Sequence, residues 1–485
     1  MSELFGIDFG TTNSATVGLL HGTRTLYGDL QGQPYPSIVA IDRMTGNVSG
    51  KGREVWQNRE AFRTHCEIIT SAKTSLSTGE SWRIGPRTWT PEQIVMEILL
   101  GLKDEVHRRT EGKSRLTESV ISIPVGFTPV KRKALRGAAN MAGIKIVGFL
   151  SEPTAAVYKH FSEVRDYIKI AVFDWGGGTL DISVVELRNG YVHELASEGV
   201  PLGGDNLDKK IAEWAHNKFK QRTQNILFAN MPPKCRESLI VRAEDAKRHL
   251  SNEVQAPIRL NDYGDFGAVG TEINRIDLEG LLKPEIERAI HALKATIIRA
   301  NLSEQELDCI LMVGGSSKLS GLYDRICNEF IGCEIIGPQP DADWHIAYGA
   351  ALRNRHGGKD ILSKHIGLEL SDKTFFPLYA KDEPVTNEKK IWNFGLVEDT
   401  DNANFVFVES ESAEANAIIV GQTNRVGHLS VPTYGFLRES IKLETRIDED
   451  LILHVNAKST NTDRTAERSK QFQQIHFSYK LPESL

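Results

Sequence analysis

The sequence predicts an α/β chain with an internal duplication, followed by an all-β domain. Three observations predict this. Leu4–Leu20 reads LFGIDFGTTNSATVGLL and Ile170–Leu187 reads IAVFDWGGGTLDISVVEL, each a β-rich run that enters a Gly/Thr turn through Asp and leaves as a second β-rich run. Strand, tight glycine turn, strand is the pattern of a β-hairpin. Through residue 355, short β runs alternate with helical stretches, whereas from Ile366 onward apolar and polar residues alternate with period two.

In the first region Ser119–Pro124, Ile144–Leu150 and Cys309–Val313 read as strands, and Pro91–Arg109, Pro129–Ala142, Asp205–Arg222 and Leu278–Ala300 as helices. Thr90-Pro91-Glu92 supplies an N-cap, a proline at the first helical position and an acid in the first turn. Arg353–Asp360 (RNRHGGKD) is polar with two glycines and suits a linker. Beyond it, Phe405–Val408, Ser440–Ile447 and Leu451–Val455 read as strands, and Glu409–Asn416 and Ser459–Ser469 as long hydrophilic loops. The expected domains are therefore 1–355, a linker at 356–365, and a β domain at 366–485.

Composition narrows the functional class. The 485 residues are 40% hydrophobic and 25% charged, ordinary for a globular protein. No apolar run approaches the roughly 20 residues of a membrane span. MSELFGIDFG lacks a basic segment followed by an apolar one, so no secretory leader is expected and the cytoplasm is the expected location. Five cysteines without CxxC spacing read as thiols rather than disulfides or a metal site. Residues 366–485 carry 19 acidic and 13 basic side chains, while residues 1–365 balance at 45 each. Neither region has the basic footprint of a nucleic-acid binder.

The paired turns carry the chemistry. Glycines bring backbone N–H groups close to a ligand, and successive N–H groups form an anion-binding concavity. An Asp at the mouth of each turn suits a hydrated divalent cation. Two such hairpins suggest a polyphosphate gripped from both sides. GxxxxGK[ST] is absent, and each turn leads into a strand rather than a helix, so this is no Walker-type loop. Gly203-Gly204-Asp205 opens a helix, where the dipole favours an anion. RAEDAKRHLS places Glu244, Lys247, Arg248 and Ser251 on adjoining helical faces. Gly314-Gly315-Ser316 follows an apolar strand, and Asp343 precedes IAYGAA. Alone, Lys73 in TSAKTSL reads as a solvated lysine, and Glu152 in SEPTAA as a helix N-terminal charge.

In combination and order, GIDFGTTNS, ITSAKTSL, ISIPVGFTPVKRKAL, SEPTAAV, VFDWGGGTLDISVVE, GGDNLD, EDAKRHLS, MVGGSSKLS and AYGAA resemble the nucleotide-binding domain of the seventy-kilodalton heat-shock chaperones (DnaK type). Actin-like sugar kinases share the two hairpins, but not SEPTAA joined to EDAKRHLS. The resemblance implies an actin-like two-lobed ATPase domain. It implies ATP and ADP as ligands, with Mg²⁺ held by Asp8, Asp174 and Asp181, and K⁺ as a further candidate ion. Gly10, Thr11, Thr12 and Asn13 would cradle the phosphates from one side and Gly176, Gly177, Gly178 and Thr179 from the other. Lys73 and Glu152, with Asp174, Thr179 and Asp181, would form the hydrolytic centre. Gly203, Gly204 and Asp205 would close on the nucleotide, and Glu244, Lys247, Arg248 and Ser251 would flank the adenosine, facing Gly314, Gly315, Ser316, Lys318 and Asp343. Pro124 and Arg132 match positions that relay nucleotide state, and residues 366–455 resemble a shortened β-sandwich peptide-binding domain.

The pattern also departs from the family. After the β domain no long helical segment follows to serve as a lid. The linker Asp360–His365 keeps only two apolar positions. Gly148 and Ser151 stand where the family has a basic residue and an asparagine, so J-domain docking is not expected, and SDKTFFPLYA lacks the usual peptide arch. The expected function is an ATP-dependent, lidless chaperone-like protein with slow hydrolysis and unfolded or extended polypeptide as its partner. A nucleotide exchange factor is a candidate second partner. The alternative is a nucleotide-gated module docking on one dedicated protein. A small-molecule kinase would need an acceptor pocket and a base, and nothing in the sequence points to them.

Overall fold

The computed structural model describes residues 3–357, 360–396, 400–411, 424–434, 439–461, 464–473, 475 and 477–481. Two mixed sheets in the first 355 residues repeat one strand order. In the first, the order is Lys145–Ser151, Glu118–Ile123, Leu4–Phe9, Asn13–Leu20, Thr23–Leu26, with Tyr35–Pro36 paired to Asn13–Leu20. In the second, Glu334–Ile336, Cys309–Val313, Lys169–Trp175, Leu180–Arg188 and Tyr191–Val200 follow in the same sequence. Each sheet sets an Asp-bearing hairpin beside a parallel strand: Asp8 lies opposite Ala15 and Ser122, Asp174 opposite Asp181 and Val313. Equivalent registers put both glycine turns at the same end of their sheets, and that positions the site.

Local chemistry sets the helices. Pro91–Arg109 starts in a full capping box, with Thr90 accepting from the Gln93 N–H and the Gln93 side chain accepting from Thr90. It buries Ile94, Val95, Ile98, Leu99, Leu102 and Val106, one stripe of a 3.6-residue period. The helix expected at Leu278–Ala300 begins earlier, at Arg275, because Asn274 accepts from the Asp277 N–H and caps it. The helix expected at Asp205–Arg222 runs from Gly204 to Lys218. His345–His356 crosses Glu152–Lys159 where Gly349 meets Ala155, and a Cβ on Gly349 would run into the Ala155 carbonyl. Among the described residues no helix is long and apolar enough to cross a membrane. All five cysteines are free thiols.

The β domain is two four-stranded antiparallel sheets. One has the order Phe375–Tyr379, His365–Glu369, Asn402–Ser410, Asn424–Pro432; the other Lys390–Gly395, Ser440–Ile447, Leu453–Asn461, Arg464–Phe472. Ile366, Leu368, Phe405, Phe407, Leu443, Val455 and Phe472 from both sheets share one core, which makes the pair a sandwich. In Ser459–Ser469, expected as a loop, residues 459–461 and 464–469 belong instead to two paired strands, with Ser459 opposite Ala466, and 462–463 lie outside the described residues. Residues 467–470 of the outer strand are exposed, so backbone pairing holds it and no apolar alternation marks it. In Glu409–Asn416, the first two residues finish a strand, and 412–416 lie outside the described residues.

Among the described residues the two regions meet at two places. Arg132 donates to the Asp450 carbonyl at 2.8 Å and to the Phe127 carbonyl at 3.0 Å. Arg136 donates to the Asp450 carboxylate at 2.9 Å, so one turn of the sandwich is held by two arginines of the Pro129–Met141 helix. The second meeting place differs from the expectation that residues 366–485 act together. Phe477–Lys480 leaves the sandwich and joins the second sheet of the first region, between Tyr191–Val200 and the linker strand Asp360–Leu362.

Candidate functional site

The two glycine turns face each other across a cleft of about 1080 Å³. A Cβ on Gly177 would come within 3.0 Å of the Thr12 side chain, and one on Gly178 within 3.0 Å of Thr12 Oγ1 and 3.6 Å of Thr11. Side chains larger than hydrogen would therefore fill the space between the turns. The second turn closes through a Gly176 N–H to Thr179 carbonyl bond of 2.9 Å. It is clamped from outside by the Gly204 N–H and the Ser316 hydroxyl, both on the Gly176 carbonyl at 3.0 and 2.9 Å. Every residue assigned to the site from sequence lines this cleft except Gly203, which caps the Gly204–Lys218 helix behind Gly177.

Charge is concentrated at the floor. Lys73, 6% exposed, donates to Glu152 at 2.9 Å, so it is not the solvated lysine that its local sequence suggests. It sits in a four-residue helix between a strand and a turn. Glu152 opens its helix behind the Ser151 cap. Asp8 accepts from Ser122 at 2.7 Å and Asp181 from Thr179 at 2.6 Å. Burial, reinforced by Glu152, pushes Asp8 and Asp181 up to about 6, and it drives Asp174 well above the usual carboxylate range. Burial opposes the charge on Lys73, yet Glu152 and Asp8 outweigh it and hold the ammonium above its ordinary value. Gly314, with φ of 82°, lets the backbone turn against the Asp174 carboxylate where a Cβ would collide.

Four carboxylates around one lysine leave an excess of negative charge, which a cation would relieve. Among the described residues, however, no three His, Cys, Asp or Glu side chains converge closely enough to ligate an ion directly. The donor set fits a hydrated ion held by Asp8, Asp174 and Asp181 through water, the habit of Mg²⁺.

The other end of the cleft is paired rather than crowded. Lys318 meets Asp343 at 2.6 Å, and Arg248 meets Glu244 at 3.0 Å and donates to Gln33 at 2.6 Å. Ser251 caps the helix that carries Glu244, Lys247 and Arg248. Thr12 donates to Asp205 at 3.1 Å, which ties the first turn to the helix behind the second.

Several cleft residues are not among those the sequence assigns to the site. Asp208 pairs with Lys247 at 2.7 Å, and burial pushes its carboxyl up to about 7. Its spacing of three from Asp205 on the same helix was the available signal. Gln33, Ser122, Asn252 and Tyr323 also line or support the cleft, through contacts that only the fold creates. With this geometry in place, one comparison with known proteins bears on the chain: the family model described as Hsp70 protein matches residues 37–478.

Proposed function

The chain belongs to the Hsp70 family, and on that premise we propose that it is an ATP-dependent chaperone-like protein. Its cleft would hydrolyse ATP slowly, and nucleotide state would set how the sandwich engages an extended polypeptide. The observation that carries this reading is the buried Lys73–Glu152 pair on the floor of a cleft walled by two opposed glycine turns.

In this reading Thr11, Thr12 and Asn13 hold the phosphates from one side, and the amides of Gly176–Thr179 from the other. Lys73, kept protonated by Glu152 and Asp8, faces the γ-phosphate. Its positive charge stabilises the negative charge that shifts toward the leaving oxygen as the bond to the γ-phosphorus breaks. Glu152 fixes the ammonium in place, and Asp174 and Asp181 orient the attacking water. A water-bound Mg²⁺ would neutralise phosphate oxygens. At the base end Arg248 and Lys318 would flank the adenosine. Arg132 and Arg136, gripping the Asp450 turn, supply the path by which closure of the cleft reaches the sandwich.

Binding of a panel of unrelated apolar peptides, measured with ATP and with ADP, tests the reading. A general chaperone holds many of them and releases them faster with ATP. A chain that binds ATP but none of the peptides is the nucleotide-gated module instead, and failure to bind ATP at all sinks both.

A further inference from the structure

His160 and His345 are each 0% exposed and neither lines the cleft, yet they form a polar pair. His160 Nε2 shares a 2.9 Å hydrogen bond with His345 Nδ1. The outer ring nitrogens continue the chain, His160 Nδ1 meeting Glu163 at 3.1 Å and His345 Nε2 meeting Asp341 at 2.9 Å. Asp341 also pairs with Arg24 at 2.6 Å. Gln339 donates to Glu163 at 3.3 Å and accepts from Lys159 at 3.4 Å. Burial holds both rings below the ordinary imidazole value, His345 at about 4. At neutral pH they therefore meet as uncharged rings, one donating and one accepting.

This chain of bonds holds one wall of the cleft. Residues 337, 338, 340, 342 and 343 line the cleft, whereas Gln339 and Asp341, between them, turn back toward the histidines and their neighbours. Lys318 holds the front of this loop, donating to the Pro340 carbonyl at 3.4 Å and pairing with Asp343 at 2.6 Å. The histidines hold the back, and they are mounted on a rigid body. His160 caps the helix Glu152–Lys159, whose residues 152–158 are all buried. His345 opens the helix that crosses it at Gly349. A satisfied buried polar chain fixes one geometry where apolar contacts alone would allow several.

We propose that His160 and His345 are positioning residues for nucleotide binding, bracing loop 337–343 from behind so that the base-end wall stands ready to receive the adenosine. The proposal rests on the nucleotide reading of the cleft. The contacts of the brace fall on the wall and not on the reactive floor, so it sets affinity rather than rate.

The test compares the unaltered full chain with His160→Leu, which fills the site without a polar atom, and with His160→Gln, whose amide can still reach His345. Leaving the His345 nitrogen unpaired in His160→Leu should weaken ADP about tenfold. Single-turnover hydrolysis at saturating ATP should stay within about twofold, and His160→Gln should recover most of the affinity. In the unliganded chains, amides of residues 337–343 should exchange faster in His160→Leu, with those of Lys169–Trp175 unchanged. Gln339→Ala, at a half-buried side chain, should show the same changes in affinity and exchange in smaller measure. Equal ADP affinity in the unaltered chain and both removal variants overturns the proposal, as does a glutamine variant no better than the leucine one. Faster exchange across the whole fold in His160→Leu, with Gln339→Ala unaffected, would make the pair ordinary core and overturn it too. Failure of the unaltered chain to bind ADP would instead remove the nucleotide reading, and this inference with it.

Discussion

The two ends of the cleft are built from the same residue types to opposite effect. At the floor, Lys73 is buried against Glu152 and shares its surroundings with Asp8, Asp174 and Asp181, so charge is unbalanced and carboxylate protonation is displaced. At the base end, Lys318 and Asp343 are matched one to one at 2.6 Å, with side chains 27% and 21% exposed. Unbalanced buried charge stores a response to whatever charge arrives, whereas a balanced, half-exposed pair mainly shapes a wall. Substitution of Lys73 at the floor should therefore alter rate, and substitution of Lys318 at the base end should alter affinity.

The largest effect breaks or confirms that division. Lys73→Ala should lower single-turnover hydrolysis by about 10²–10³-fold while ADP still binds, the loss typical of one donor aimed at transition-state charge. Normal hydrolysis in this variant would remove Lys73 from the chemistry and erase the contrast.

A middle-sized effect comes from pH. Asp8 and Asp181 carry folded values of about 6 against 3.8 for ordinary aspartates. The folded chain thus holds these protons more tightly than the unfolded chain. The stability they contribute is present below about pH 4 and is lost as pH rises through about 6. If Asp8 and Asp181 hold magnesium-nucleotide as proposed, they must ionise to do so, and its affinity should rise between pH 5 and 7, by about tenfold per unit for each proton displaced. Calorimetry in buffers of different ionisation enthalpy should show proton release at pH 5.5. A flat affinity with no proton release would mean that these carboxylates do not meet the ligand.

The smallest effect is at Lys318. Lys318→Ala should weaken ADP about two- to fivefold with the single-turnover rate unchanged, as expected for a partly exposed ion pair. A rate loss equal to that of Lys73→Ala would show the two ends acting as one unit.

Much of this arrangement was readable in the chain because its donors come in local packages. The glycine turns, the Gly203-Gly204-Asp205 helix opening and the RAEDAKRHLS face each orient their groups within a few residues. Ser122 was not readable, because its bond to Asp8 depends on parallel register between distant strands. The burial of Lys73 was equally invisible, since nothing beside it in the sequence excludes water. Arg464–Phe472 hid because a strand that exposes most of its side chains has no apolar rhythm. Phe477–Lys480 hid because its partner strands lie in another domain and in the linker.

Gly349 has a consequence that is mechanical rather than electrostatic. Its missing side chain lets the His345–His356 helix rest on the Ala155 carbonyl. Ala155 is three residues from Glu152, about 4.5 Å along the same helix. A single methyl group at Gly349 would wedge the two rods apart and carry Glu152 with them. The 2.9 Å bond to Lys73 has only a few tenths of an ångström of slack before it ceases to be one. The working tolerance of the Lys73–Glu152 pair is thus set at an uncharged crossing point, by an atom that is not there.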